Sequence, residues 1–209
     1  MTCQQAPYAQ APSSDSDPEG RPAVVLLDDH VRGSAMGLLV CPAPHVDVDV
    51  MRFVVKHTSG FVCVALPPAT CDRLDLRPMA GQGWTHGTLQ YTVTVDAAAG
   101  ITTGISARDR ARTIRLLGDP TTTDTDLNRP GHVVPVRVED GAAGRATAAV
   151  AALSWCRETA GAAAAMYAPI VSLRDPRFMA GVAESCAFAE RHGLSRVSAR
   201  RILGLTAAS

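Results

Sequence analysis

The sequence predicts a single α/β domain in which helices pack against a β-sheet. Short apolar runs of strand length alternate with segments whose apolar residues recur at helical spacing. The 209 residues suffice for one domain with a substantial core. Aromatic residues make up only 4% of the chain and alanine is frequent, which suits closely packed layers of helix and sheet.

Apolar runs bounded by turn residues predict six strands, at 23–29, 38–41, 61–66, 91–96, 132–138 and 166–173. The first run ends in the acidic pair Asp28-Asp29, and the fifth follows a Pro-Gly turn. Residues 77–90 and 118–131 are rich in turn-forming residues and are predicted as long loops. Loops of this length inside a compact domain are more often functional than idle.

Helical spacing and end signals predict helices over 47–57, 67–76, 106–115, 142–165 and 176–192, with a short helix after them. The first of these stops at Gly60, since glycine suits the position that follows a helix. The third opens on Ser106 with Asp109 three residues later, which is an N-cap followed by an acidic residue in the first turn. Gly193 marks the end of the fifth helix.

Charge and cysteine content exclude several classes of protein. Twenty basic and twenty acidic residues give zero net charge, so nothing directs the chain to nucleic acid or to an anionic membrane. No apolar run reaches membrane-spanning length. The six cysteines form no C-x-x-C pair and we find no signal peptide, so we expect reduced thiols in a cytoplasmic protein. Residues 1–22 are expected to form a disordered tail before a domain over 23–209.

The segment from Tyr91 to Arg115 predicts a turn that binds something small and polar. A strand ends at Asp96, a Gly/Thr-rich turn follows, and the next helix begins at Ser106. The start of a helix leaves backbone N–H groups free for an anion. Thr102 and Thr103 could add hydroxyl groups to such a cradle, or they could form an ordinary turn that caps the helix.

Four segments together resemble the 3,4-dihydroxy-2-butanone 4-phosphate synthase family. They begin with His57-Thr-Ser-Gly-Phe-Val-Cys-Val-Ala-Leu66 and Cys71-Asp-Arg-Leu-Asp-Leu-Arg-Pro-Met79, and they continue with residues 91–115 and Arg129-Pro-Gly-His-Val-Val-Pro135. The resemblance covers roughly residues 23–204. It implies a mixed β-sheet flanked by helices and a homodimer whose active sites lie near the subunit interface. It also implies conversion of ribulose 5-phosphate into a four-carbon ketone phosphate and formate with magnesium.

The chain departs from the family where the family binds its metal. The acidic motif Arg-Glu-Asn-Glu-Gly-Asp corresponds to Arg32-Gly-Ser-Ala-Met-Gly37, and the motif Gly-His-Thr-Glu-Ala-Ala-Val-Asp corresponds to Gly144-Arg-Ala-Thr-Ala-Ala-Val-Ala151. The family's late-strand glutamate aligns with Pro169 or a neighbour of it. Because magnesium prefers oxygen ligands, these replacements predict that the chain uses no magnesium, no other cofactor and no authentic synthase chemistry.

The resemblance assigns the remaining site residues. Cys63 corresponds to the family's active-site cysteine and His132 to a histidine that contacts substrate, and we predict both as catalytic. A cysteine on a buried strand can instead simply pack, and a histidine after a turn can simply anchor a loop. The residues predicted to bind substrate are Arg32, Ser59, Asp96, Thr102, Thr103 and Arg145. Arg145 replaces a metal-binding histidine and could supply positive charge in place of the cation, or could be merely exposed.

Three functions are compatible with these residues. The first is a diverged enzyme that performs metal-independent acid–base or nucleophilic chemistry on a small carbonyl compound in specialised (secondary) metabolism. The second is a non-catalytic homologue that binds a ligand or a partner protein. The third is an authentic synthase of riboflavin biosynthesis. The retained framework around Cys63 and His132 favours the first, since a scaffold alone has less reason to keep these residues.

Overall fold

The computed structural model describes residues 22–27, 35–79, 90–139 and 147–204. The strands within these ranges are β1 Ala23–Leu27, β2 Met36–Pro42, β3 Cys63–Leu66, β4 Gln90–Tyr91, β5 Val95–Ala97, β6 Leu127–Arg137, β7 Ala165–Pro169 and β8 Arg196–Ser198. The helices are α1 Val48–His57, α2 Pro68–Arg73, α3 Ala107–Gly118, α4 Ala148–Ala160, α5 Val182–His192 and α6 Ala199–Ile202. Two short 3₁₀ helices cover Ala43–His45 and Asp124–Asp126.

The strands form one mixed sheet, as the resemblance implied. Its order is β4-β6-β3-β7-β2-β1-β8, and β5 pairs with β6 beside this path. The pairs β3–β6 and β1–β8 are parallel, whereas the other pairs are antiparallel. Parallel neighbours need a crossover connection, and helices supply it here. The predicted α/β domain with a sheet flanked by helices is confirmed.

The sheet is buried on both faces, and alternate residues of its strands enter two separate core layers. In β1, for example, Val24 and Leu26 face a layer completed by α1, α3 and α5. Val25 faces the opposite layer, which α4 and α6 complete. The side chains of Ala149, Ala151 and Ala152 in α4 are buried there, and their small size lets that helix lie close to the sheet.

The predicted helix ends are largely confirmed. The Asp47 carboxylate accepts the Val50 N–H at 2.7 Å and caps α1, which begins at Val48, one residue after the predicted start. The Ser106 hydroxyl accepts the Asp109 N–H at 3.1 Å at the start of α3. Gly193 follows α5 in the left-handed conformation, with φ of 61°. Among the described residues, no helix is long and apolar enough to cross a membrane.

Several predicted boundaries are wrong. The predicted loop over 118–131 contains a 3₁₀ helix and the first five residues of β6, because Leu127 and Asn128 pair with β5 despite their turn-like surroundings. The predicted strand over 91–96 divides between β4 and β5. The fifth helix starts at Val182 instead of 176, and β8 was not predicted. The predicted tail lies outside the described residues except for Pro22, and the predicted start of α4 at 142 also lies outside them.

Candidate active site

Asp96 and His132 form a hydrogen-bonded pair where β5 meets β6. The Asp96 Oδ2 atom lies 2.7 Å from His132 Nδ1, and Asp96 Oδ1 accepts the backbone N–H of His132 at 3.0 Å. The register between the two strands shifts between Val95 and Asp96, and such irregularities re-aim side chains. One carboxylate therefore holds both the backbone and the ring of His132.

The pair differs in exposure. The side chain of Asp96 is 9% exposed, whereas that of His132 is 39% exposed. Within the described part of the chain, Nε2 of His132 has no hydrogen-bond partner. A carboxylate only accepts hydrogen bonds, so ionised Asp96 fixes the proton on Nδ1 and leaves Nε2 as an acceptor. The imidazole can therefore take up and return a proton at its exposed edge.

Two glycines let the backbone approach this pair closely. A Cβ atom at Gly131 would overlap the backbone of Val95 and Asp96. A Cβ atom at Gly104 would overlap Asp96 Oδ2, and Gly104 also has a φ of 88°, which favours glycine. The turn at 102–104 therefore packs directly against the carboxylate–imidazole pair.

Asp109 holds that turn in place. Its Oδ2 atom accepts the N–H of Thr102 at 3.1 Å, the hydroxyl of Thr102 at 2.7 Å and the N–H of Gly104 at 3.1 Å. These hydrogen bonds, with that of the Thr102 hydroxyl largest, lower the pKa of the Asp109 carboxyl. The prediction of free N–H groups in this turn is therefore wrong for Thr102 and Gly104. Thr103 is exposed, and both threonines stay predictions as substrate contacts.

Cys63 lies on β3 in the core layer that α4 completes, and only 1% of it is exposed. Burial raises the pKa of its thiol to about 12, and a hydrogen bond with Tyr167 offsets only part of that rise. Because the thiolate is the nucleophilic form, this environment does not support attack by Cys63. It favours the alternative in which Cys63 packs as a small apolar residue.

Cys63 and His132 nevertheless share one face of the sheet. Cys63 pairs in register with Val134, and His132 lies two residues before Val134 on the same strand. Alternate residues of a strand point to the same face, so Cys63 lies beneath the surface near His132. The rings of Phe61 and Tyr91 pack at 6.1 Å between centroids at the same end of β3.

The other predicted substrate contacts are placed only in part. Ser59 is exposed, its N–H donates to the Pro169 carbonyl at 3.0 Å, and its hydroxyl accepts the Phe61 N–H at 3.2 Å. It thus shapes the turn that leads to β3 and still presents its hydroxyl to solvent. Arg32 and Arg145 lie outside the described residues.

Arg110 is a site residue that the sequence analysis missed. It is 6% exposed, and its Nη1 donates to the Gly60 carbonyl at 3.3 Å, while its Nε has no partner among the described residues. Burial lowers the pKa of Arg110, and the negative charge of Asp96 opposes that effect. It therefore lies between the turn at 58–60 and the Asp96–His132 pair. The sequence offers only a weak indication of this role, namely the Asp109-Arg110 pair in the first turn of the helix that follows β5.

The described residues do not form a metal site. No group of three His, Cys, Asp or Glu side chains among them could hold an ion. The segments 28–34 and 140–146, which include residues 32–34 and 144–146 of the two aligned motifs, lie outside that part of the chain.

Comparison with known proteins agrees with the resemblance. The model of the family described as 3,4-dihydroxy-2-butanone 4-phosphate synthase matches residues 18–204. Riboflavin biosynthesis protein RibBA of Mycobacterium bovis (strain BCG / Pasteur 1173P2) is 45% identical over 178 residues, which cover 84% of this chain and 41% of the relative. The Mycobacterium ulcerans protein of the same name is 44% identical over the same shares. The chain thus spans about two fifths of the length of these relatives.

Solved structures agree as well. A crystal structure of 3,4-dihydroxy-2-butanone 4-phosphate synthase in complex with two magnesium ions has a TM-score of 0.78 and 32% identity, and the match covers 88% of this chain and 89% of that one. The synthase of Candida albicans has a TM-score of 0.80 and 30% identity, with 90% and 91% covered.

These findings overturn the expectation of a metal-independent enzyme of specialised metabolism. Relatives of 45% identity over most of the chain are riboflavin biosynthesis proteins, and a structural neighbour holds two magnesium ions. The expectation of no cofactor is wrong for the same reason. That expectation assumed that magnesium binds only where the family's aligned carboxylates are kept. Magnesium usually keeps several waters, however, and needs only one or two carboxylates besides substrate oxygens.

Proposed function

The chain belongs to the 3,4-dihydroxy-2-butanone 4-phosphate synthase family, and on that premise we propose that it converts ribulose 5-phosphate into 3,4-dihydroxy-2-butanone 4-phosphate and formate for riboflavin biosynthesis. The atoms of the substrate are conserved in the two products, since the water lost in one step is regained in a later one. Magnesium, when bound, would stabilise the negative charge that develops on adjacent substrate oxygens.

The observation that carries this proposal is the Asp96–His132 pair. Formation of an enediol requires that a proton leave one carbon and that an oxygen be protonated, which is work for a side chain that can both accept and donate a proton. Nε2 of His132 is open to a substrate, and Asp96 at 2.7 Å from Nδ1 orients the ring. His132 can take a proton at Nε2 in one step and return it in the next.

The other residues predicted to bind substrate would hold the sugar phosphate. The exposed hydroxyls of Ser59 and Thr103 suit the substrate's own hydroxyls, and Thr102 can still accept a hydrogen bond at its side-chain oxygen. The guanidinium groups of Arg32 and Arg145 suit its phosphate by their fixed charge and fork of donors. In this proposal Cys63 packs below the site and takes no part in covalent chemistry.

The proposal includes a cytoplasmic homodimer with the site near its interface. Two large apolar side chains close to the site are exposed, Phe61 at 48% and Ile105 at 51%, and a second copy of the chain would cover them. The described cysteines form no disulfide with one another, which suits a reducing compartment. Light scattering on the purified protein measures its mass, and a monomer at assay concentration would contradict the dimer.

The activity is tested by formate release from ribulose 5-phosphate. The purified chain with magnesium should release one formate for each four-carbon ketone phosphate seen by mass spectrometry, and chelation of divalent cations should abolish the release. Ribulose without phosphate serves as the substrate control and should give none. No formate above the rate without protein, at enzyme concentrations in the micromolar range, would reject the proposal.

A further inference from the structure

Asp109 lies outside the set of groups that face substrate in the proposed reaction. It is 1% exposed, yet its carboxylate is among the most heavily hydrogen-bonded in the described chain. A carboxylate in the first turn of a helix is commonly a cap that serves the helix alone. Here the carboxylate bonds the cap residue Ser106 and, in addition, two residues of the preceding turn, Gly104 and Thr102, five and seven residues earlier in the chain.

The turn at 102–104 links Asp109 to the His132 imidazole through direct contacts. Asp109 Oδ2 accepts both N–H groups that face it, from Thr102 and Gly104, and thereby fixes the path of the turn. Gly104 in turn packs so closely on Asp96 Oδ2 and His132 Nδ1 that a Cβ atom would overlap both. A carboxylate–imidazole bond of 2.7 Å leaves little room for the turn to move without moving the ring.

We propose that Asp109 is a positioning residue for His132 and acts through the turn at 102–104. Asp109 holds the turn, the turn confines Asp96 and the His132 ring, and the ring presents Nε2 to substrate. The inference rests on the proposed function only where it concerns turnover. Its structural part, the control of the His132 ring, holds for the free protein.

The test compares Asp109→Asn with Asp126→Asn. Asp126 is a matched control because its carboxylate also accepts the N–H and hydroxyl of a threonine, Thr123, at 2.8 and 2.9 Å, but in an exposed turn. The first readout is the pair of ¹⁵N shifts of the His132 ring without substrate, assigned with a His132→Gln variant. The second is the split between kcat and KM for formate release.

Asp109→Asn should move the ring shifts from one fixed tautomer toward the average of two. It should also lower kcat roughly 100-fold while KM changes less than about threefold, because misplacement of an acid–base group by an ångström costs about that factor. Asp126→Asn should leave both readouts at the wild-type values. Unchanged ring shifts in Asp109→Asn overturn the proposal, and so does an unchanged kcat in an active enzyme.

A second variant tests the proposal if Asp109→Asn does not fold. Thr102→Val removes only the 2.7 Å hydroxyl bond to Asp109 and should move the ring shifts in the same direction by a smaller amount. If both variants fold and neither moves the shifts, the proposal is overturned. If the wild-type chain releases no formate, the proposed function fails, and the ring shifts alone decide the role of Asp109.

Discussion

His132 and Cys63 are both motif residues on one face of the same sheet, yet their surroundings differ in every respect that governs reactivity. The side chain of His132 is 39% exposed and bonded to a carboxylate. Cys63 is 1% exposed, and burial raises the pKa of its thiol to about 12. The two residues lie close together on the paired strands β3 and β6, since Cys63 pairs with Val134 and His132 lies two residues before Val134.

The difference shows that a motif locates a site but does not assign roles within it. A group does acid–base work when a partner orients it and when substrate can reach it. Asp96 and solvent access supply both conditions for His132, whereas Cys63 is buried in its core layer and lacks the second.

Replacement of His132 should have the largest effect. His132→Ala removes the exposed imidazole and should lower kcat for formate release by roughly 10²–10⁴-fold, the usual contribution of an acid–base group. His45→Ala, which removes an exposed histidine remote from the pair, is the control and should retain wild-type turnover. A loss of less than about fivefold in kcat for His132→Ala would show that the imidazole takes no part in the chemistry. The contrast between His132 and Cys63 would then fail.

Replacement of Asp96 should have the next largest effect. Asp96→Asn keeps the shape of the side chain but loses one acceptor, so it can no longer hold both the His132 N–H and the ring nitrogen as the carboxylate does. We expect kcat to fall roughly 10- to 100-fold. Asp49→Asn on the exposed side of α1 is the control. Equal activity in both variants would mean that the ring is oriented by other groups.

The sequence predicted much of the fold because periodicity and caps act locally. Asp47 and Ser106 begin α1 and α3 at the predicted positions, and Gly193 ends α5. The start of β6 was missed because Leu127 and Asn128 become a strand only through pairing with β5, which no local pattern announces. Tertiary pairing overrides local preference at such positions.

The candidate site, like the fold, could be predicted from the sequence only in part. The motifs located Cys63, Asp96 and His132, but the hydrogen bond between Asp96 and His132 depends on the shifted register of β5 against β6. The close approach of Gly104 to that pair likewise joins residues 28 positions apart in sequence. Both are contacts across the fold, and a single sequence states neither the distance nor the burial that decides their role.

Replacement of Cys63 should leave turnover nearly unchanged. Cys63→Ala should alter kcat by less than about threefold and should lower the free energy of unfolding by about 1–2 kcal/mol, as expected for the loss of a buried side-chain atom. Burial raises the pKa of the Cys63 thiol to about 12 and so keeps it protonated at pH 8. Iodoacetamide should therefore label half-buried Cys186 and spare Cys63 in the native protein. A kcat loss beyond 100-fold, or labelling of Cys63 that stops turnover, would restore its catalytic role.

A smaller effect concerns His57, which lies at the end of α1 and packs against α5, on the face of the sheet opposite Cys63. Its ring packs against Phe53 at 4.6 Å and against His192 at 4.8 Å between centroids. Burial lowers the pKa of His57 below its usual value of 6.5, and the neighbouring His192 and Lys56 lower it further. Packing thus controls the charge of this imidazole, whereas a hydrogen-bonded carboxylate controls the orientation of His132.

The sign of the His57 effect follows from linkage. Because the folded protein binds this proton less readily than the unfolded chain, the contribution of His57 to stability is present above pH 6.5 and is lost as the pH falls below it. His57→Phe keeps a ring in the cluster but does not titrate. Between pH 7.5 and 5.5 the Tm of the wild type should fall further than that of His57→Phe, and the Tm of His45→Phe should follow the wild type. Parallel curves of Tm against pH for wild type and His57→Phe would contradict this prediction. They would show that solvent at the partly buried ring removes the free-energy cost of protonating His57 in the folded protein.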